Sequence, residues 1–168
     1  FEPEALGVLQ ALTERAWTLP HATRVDSITN FQHSYAEDED IIIEDLVFGP
    51  ADPLGEQDFA DIRSVAMAEP LLAGGLLARD GGAAGVNVTL RLPRQSPAEV
   101  TETARAARAL AAEIEAEHPG VQVRTSGMAL MNDAFMEASI EDMKIIVPIM
   151  YVVMIVVLGL LLRSVVAT

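Results

Sequence analysis

The 168-residue chain sets 25 acidic against 11 basic residues, a formal charge of −14, and its only charges beyond Asp142 are Lys144 and Arg163. Residues 1–142 therefore carry nine basic and all 25 acidic groups, a net of −16, and such a surface repels phosphate backbones and excludes nucleic acid as a natural partner. Cysteine is absent, which removes a disulfide framework, a zinc–thiolate site and a thiol nucleophile together.

Aromatic residues make up 5% and much of the 51% apolar content is alanine, so a modest α/β core is expected. "EPEALGVLQALTERAW" reads as an amphipathic helix, with Pro3 at its first position and Ala5, Leu9, Leu12 and Ala16 on one face. Pro20 in "TLPHA" ends it. "TRVDSITNF" predicts a short strand over Arg24–Thr29. "HSYAEDEDIIIEDLVFGPADPLG" predicts an acidic loop, a β-rich patch at Ile41–Phe48 and a Pro/Gly turn, together an acidic insertion over about residues 30–55. "EQDFADIRSVAMAEP" is a second helix, with Phe59, Ile62 and Ala66 together and Pro70 as terminator.

"LLARDGGAAGVNVTLRLP" predicts two strands flanking a Gly-rich turn, with Val86, Val88, Leu90 and Leu92 alternating. "SPAEVTETARAARALAAEIEAEHPG" carries a full set of helix signals. Ser96 is the N-cap, Pro97 the first helical residue, and Glu99 completes a capping box. Val100, Ala104, Ala107, Leu110, Ala111 and Ile114 form its apolar stripe, and Gly120 beside Pro119 stops it. "VQVRTSG" predicts a last strand, and "MALMNDAFMEASIEDM" a helical connector over 128–142.

Residues 145–162 contain no charge. A buried core helix of that length shows a polar face, and this one has Tyr151 at most. A secretory h-region is shorter and N-terminal. Eighteen residues at 1.5 Å give about 27 Å, close to a hydrocarbon core. Thirteen of them are Ile, Leu or Val; at about −0.3 to −0.6 kcal/mol each they sum to roughly −4 to −8 kcal/mol for insertion, partly offset by Pro148 and Gly159. Residues 143–164 therefore read as a transmembrane helix and 165–168 as the start of a cytoplasmic loop. Arg163 after the span and the acidic stretch before it favour a cytoplasmic C-terminal side.

With the insertion set aside, the order is α-β-β-α-β. One further strand ahead of Phe1 makes it β-α-β-β-α-β, a ferredoxin-like split β-α-β domain of the α+β class over 1–127. Phe1 in place of methionine is read as the edge of a segment from a longer protein.

Site chemistry is sparse. "AEDED" at 36–40, near His33 and Glu44–Asp45, offers oxygen ligands for a hard cation, yet the spacing fits a solvated loop better. His21, His33 and His118 sit beside turn residues and read as surface groups. Ser64, Ser126 and Ser139 lack a nucleophile context, and "GGAAG" at 81–85 opens no helix after a strand. No catalytic residue, metal ligand or cofactor is expected.

The succession "PEALGVLQALTERAWTLP", "TRVDSITNFQ", "AEPLLAGGLLARDGGAAGVNVTL", the long Ala/Glu/Arg helix, "HPGVQVRTSGMALMNDAFMEAS" and an apolar helix ending "LLLRS" resembles the RND superfamily of membrane exporters, in its MMPL-like branch. The resemblance implies most of a first porter region followed by the second transmembrane helix. It also implies an inner (plasma) membrane location with residues 1–142 periplasmic, and hydrophobic or amphiphilic cargo. Further partners would be the remaining helices and second porter region of the same protein, the bilayer, and a homo-oligomer. Such exporters place proton-relay carboxylates in a later transmembrane helix, and 145–162 hold no ionisable side chain besides Tyr151. Met128, Met131, Phe135 and Met136 follow helical spacing just ahead of the span, and Met-rich surfaces adapt to irregular apolar ligands. Substrate lining is weighed there against packing of the connector helix. The alternative reading of the whole chain is a membrane-anchored interaction domain for a partner protein.

Overall fold

The structure, a computed structural model, describes residues 3–37, 40–47, 49, 54–93, 96 and 98–166. It contains α1 (Pro3–Ala16), β1 (Ala22–Asp26), β2 (Gln32–Glu37), β3 (Asp40–Asp45), α2 (Glu56–Ala68), β4 (Asn87–Leu90), α3 (Ala98–Glu117) and α4 (Met128–Val166). Two compact units result, Phe1–Thr125 and Ser126–Thr168. The α+β class is as expected.

In the first unit α1 joins two apolar clusters. Leu6 and Leu9 pack with Ile28, Val47, Phe59, Ile62 and Leu72, whereas Val8 and Ala16 pack with Val25, Leu110 and Ile114. The buried face therefore differs from the Ala5–Leu9–Leu12–Ala16 stripe: Ala5 is exposed and Leu12 half-buried. Leu6 removes more apolar area from water than the single methyl of Ala5. Thr13 takes a buried position because its hydroxyl lies 2.6 Å from the Leu9 carbonyl oxygen and 2.9 Å from Ser27 Oγ.

β1 and β4 pair antiparallel, Val25 opposite Val88 and Asp26 opposite Asn87, with an irregularity between Ala22 and Arg24. The strand starts earlier than Arg24 and ends before Thr29. Its end is local: Asn30 accepts from the Ser27 amide at 2.8 Å and donates to the Val25 carbonyl at 2.7 Å, so side chains replace the ladder there. The expected acidic loop is instead half of a hairpin. β2 and β3 pair from Gln32–Asp45 to Glu37–Asp40. The alternation of polar and apolar residues through "QHSYAE" is weak by itself; the Ile-rich partner strand draws it into register.

α2 matches expectation, burying Phe59, Ile62 and Ala66, and Asp58 Oδ2 accepts from the Gly55 amide at 2.8 Å. Of the two strands expected around the Gly-rich turn only the second forms, as β4. Residues 71–85 make a tight irregular loop with single bridges Ala73–Leu77 and Leu77–Ala84, because Leu72 and Leu77 both turn into the core. β4 takes β1 as its partner, and Val86, Val88, Leu90 and Leu92 are half-buried in alternation as predicted.

α3 is capped as its sequence requires. The Ser96 hydroxyl accepts from the Ala98 amide at 3.2 Å, and Glu99 Oε1 accepts from the Ser96 amide at 3.0 Å; Pro97 lies outside the described residues. Ala104, Leu110, Ala111 and Ile114 are buried as expected, whereas Val100 and Ala107 are half-buried and Thr103 joins the buried set. The predicted strand at "VQVRTSG" is absent: residues 121–126 carry no strand, although Val121 and Val123 still pack against the α1–α3 cluster. A strand exists only with a ladder partner, and here the Val123 amide donates to Glu115 Oε1 at 2.8 Å.

Candidate functional site

The second unit is dominated by α4, 39 residues long and so about 58 Å from end to end. Gly127, at φ 127°, precedes it, and the Met131 amide donates to the Gly127 carbonyl at 3.0 Å. Connector and span are one uninterrupted helix, which continues through residues 165–166 where a loop was expected. Residues 167–168 lie outside the described residues. Pro148 removes one amide donor within the helix, four residues past Lys144, the last charged residue before the span.

Between Ile145 and Leu162 every large apolar side chain except Val147 is exposed, at 48–65%. In water that arrangement leaves twelve Ile, Leu and Val side chains exposed, which no isolated soluble helix sustains. In hydrocarbon it is the lowest-energy arrangement, because all backbone polar groups away from Pro148 are bonded within the helix. A candidate membrane span covers Met128–Leu162.

Ahead of the apolar run, α4 has two distinct faces. Met128, Met131 and Phe135 share one side and are 68%, 48% and 66% exposed. Ala129, Leu130, Asp133 and Met136 share another and are withdrawn from solvent, Asp133 to 6% exposure. The four residues singled out by spacing thus separate. Three form an exposed apolar stripe, and Met136 is turned about 100° from Phe135, as one residue of helical rotation requires. Asp133 was not among the residues chosen from sequence. Its signal is an acid set three residues from both Leu130 and Met136, on the same stripe of the helix.

The remaining candidates resolve into structural positions. His21 holds a left-handed backbone, φ 65°, and its carbonyl accepts from the Arg91 amide at 2.9 Å. His33 stacks on Tyr35 at 5.7 Å, and the Tyr35 hydroxyl donates to Glu44 Oε1 at 2.9 Å. The His118 amide donates to the Ile114 carbonyl. Ser139 Oγ donates back to the Phe135 carbonyl at 2.7 Å, a bond internal to the helix. Of the acidic run, Glu37 and Asp40 end the hairpin strands, while residues 38–39 lie outside the described residues. Among the described residues no group of three or more His, Asp or Glu is placed to hold a metal.

An acidic α+β unit followed by a helix long and apolar enough to cross a bilayer is the make-up of a membrane protein. Its kind follows from comparison: the pattern of the MMPL family matches residues 16–168. The chain belongs to the MMPL family, membrane transporters of the RND type that act on hydrophobic substrates. No curated protein and no solved structure matches the chain significantly.

Proposed function

We propose that the protein exports hydrophobic or amphiphilic molecules, lipid-like or drug-like, across the inner (plasma) membrane, with residues 1–142 on the periplasmic side. The α+β unit receives and guides cargo and performs no covalent chemistry. Helices elsewhere in the protein supply energy coupling, because a proton relay needs a carboxylate within the membrane and 145–162 contain none. Met128, Met131 and Phe135 line the entrance.

The observation that carries this reading is the exposed stripe Met128–Met131–Phe135. It lies on the same helix that enters the bilayer, so an amphiphile leaving the lipid meets flexible thioether and aromatic surface before it meets charge. Replacing Met128, Met131 and Phe135 together by Gln in the full-length transporter is expected to cut export of a fluorescent lipid analogue several-fold while membrane insertion stays normal. Unchanged export with normal insertion refutes the lining role. A protease-sensitive tag inserted at Asp40 is expected to be cut from outside the inner membrane; cleavage only from the cytoplasm refutes the orientation.

One observation favours a second reading, an anchored domain that binds a partner protein or another copy of itself. Ile41 and Ile43 on the hairpin are 77% and 63% exposed. Loss of a co-purifying subunit in an Ile41→Ser, Ile43→Ser variant, with export intact, supports it.

A further inference from the structure

The first unit contains a groove of about 660 Å³. One wall is the outer side of α1, where Gly7, Gln10, Glu14 and Trp17 recur at three- and four-residue spacing; Asn30 and Asp45 stand on the other. The volume falls in the range of small-molecule sites, roughly 300–1,000 Å³. Gln10 Nε2 donates to the Gly49 carbonyl at 2.8 Å and joins the two walls.

The chemistry of the walls is one-sided. Glu14 and Asp45 are exposed carboxylates, and neither takes part in an ion pair among the described residues. Arg15, the cation next to Glu14 in sequence, is committed to Glu117 at 2.7 Å. Among the described residues, no basic side chain lines the groove. Trp17, 51% exposed, stands just past the last residue of α1, where the helix dipole adds negative potential. A groove lined by an exposed indole and two carboxylates attracts a cation, and more so an organic one that can also shed apolar surface. The amides that would read sugar hydroxyls are occupied: both ends of Asn30 are bonded within the fold, and Gln10 bridges the walls. A neutral or anionic guest would strip water from two carboxylates without return.

We propose that this groove binds monovalent organic cations with a compact apolar body, such as quaternary ammonium groups. Trp17 takes the cation against its ring, and Glu14 and Asp45 supply the counter-charge. Binding here is measured without transport.

Trp17 is the single tryptophan of the chain, so its emission reports the groove directly. The chain is reconstituted in nanodiscs of zwitterionic lipid and titrated with benzyltrimethylammonium, with benzyl alcohol, benzenesulfonate and maltose as controls. Saturable quenching is expected for the ammonium alone. The Glu14→Gln, Asp45→Asn variant should weaken it about tenfold, and raising salt should weaken it in the parent chain only. These two side chains are exposed, so the variant is expected to keep the parent's melting curve. Calorimetry of Trp17→Phe and Trp17→Ala supplies a second measure, with Phe retaining part of the affinity and Ala losing it. Non-saturable quenching, equal binding of any control, or unchanged affinity in the double variant overturns the proposal.

Discussion

Arg15 and Glu117 grip one another across 102 residues of sequence, Nη1 at 2.8 Å from Oε1 and Nη2 at 2.7 Å from Oε2. The contact joins the C-terminal ends of α1 and α3, the helices whose apolar faces share the Val8–Ile114 cluster. Hydrogen bonding from Arg15 holds the Glu117 carboxyl below the usual carboxylate range, and the same bond raises Arg15. A depressed carboxyl contributes stability that is complete above its unfolded pKa and disappears as pH falls through its folded pKa. Wild type is therefore expected to melt slightly above Glu117→Gln at neutral pH, with the gap closing in acid below the ordinary carboxylate range. Because both groups are exposed, salt at about 1 M, where the Debye length is about 3 Å, should also narrow the gap. A gap indifferent to pH would contradict this account.

The start of α3 is a second test of local chemistry. Ser96→Ala removes the acceptor for the Ala98 amide and is expected to cost about 1 kcal/mol, while Ser96→Gly costs only a few tenths. Chemical denaturation of the parent and the two variants checks the order. A Ser96→Ala variant as stable as the parent would remove the cap from the account.

Thr13, Ser27 and Thr29 form a buried hydroxyl cluster, with Ser27 Oγ 2.9 Å from Thr13 Oγ1 and 2.7 Å from Thr29 Oγ1. Ser27 is 1% exposed. Ser27→Ala leaves buried hydroxyls and the Thr29 amide short of a partner and is expected to destabilise by about 1–3 kcal/mol. Adding Thr13→Val and Thr29→Val removes the stranded hydroxyls together. The triple variant should recover much of the loss, as a denaturant midpoint will show.

Membrane insertion has a threshold that arithmetic sets. Against roughly −4 to −8 kcal/mol from the aliphatic residues of 145–162, each central Asp costs about 3 kcal/mol. Val153→Asp alone should leave the chain carbonate-resistant. Val153→Asp with Val157→Asp, one helical turn apart, should release a large fraction. Release by the single change, or retention of the double, would point to a surrounding other than lipid.

The legible parts are those whose bonds are near in sequence. The α3 cap closes between Ser96, Ala98 and Glu99, the α2 core face is Phe59, Ile62 and Ala66, and the apolar run needs no partner to cross a bilayer. Each is decided within a few residues, or by composition. Strands were read less well. "QHSYAE" becomes β2 because Asp40–Asp45 lies opposite it, and "LLARD" forms no strand because its Leu77 fills the core. Nothing inside either segment carries that information.

The same division runs through the sites. Helical spacing groups Met128, Met131, Phe135 and Met136; exposure divides them, the first three being exposed and Met136 half-buried beside the buried Asp133. The groove has no signature in one dimension, since Glu14 and Trp17 come to share it with Asn30 and Asp45 only through chain folding. Sequence alone determined where this protein meets lipid and how its helices begin and end, because those free energies are local. Tertiary structure decided which strands pair and which residues share the groove, because those depend on residues far apart that only the collapsed chain brings near.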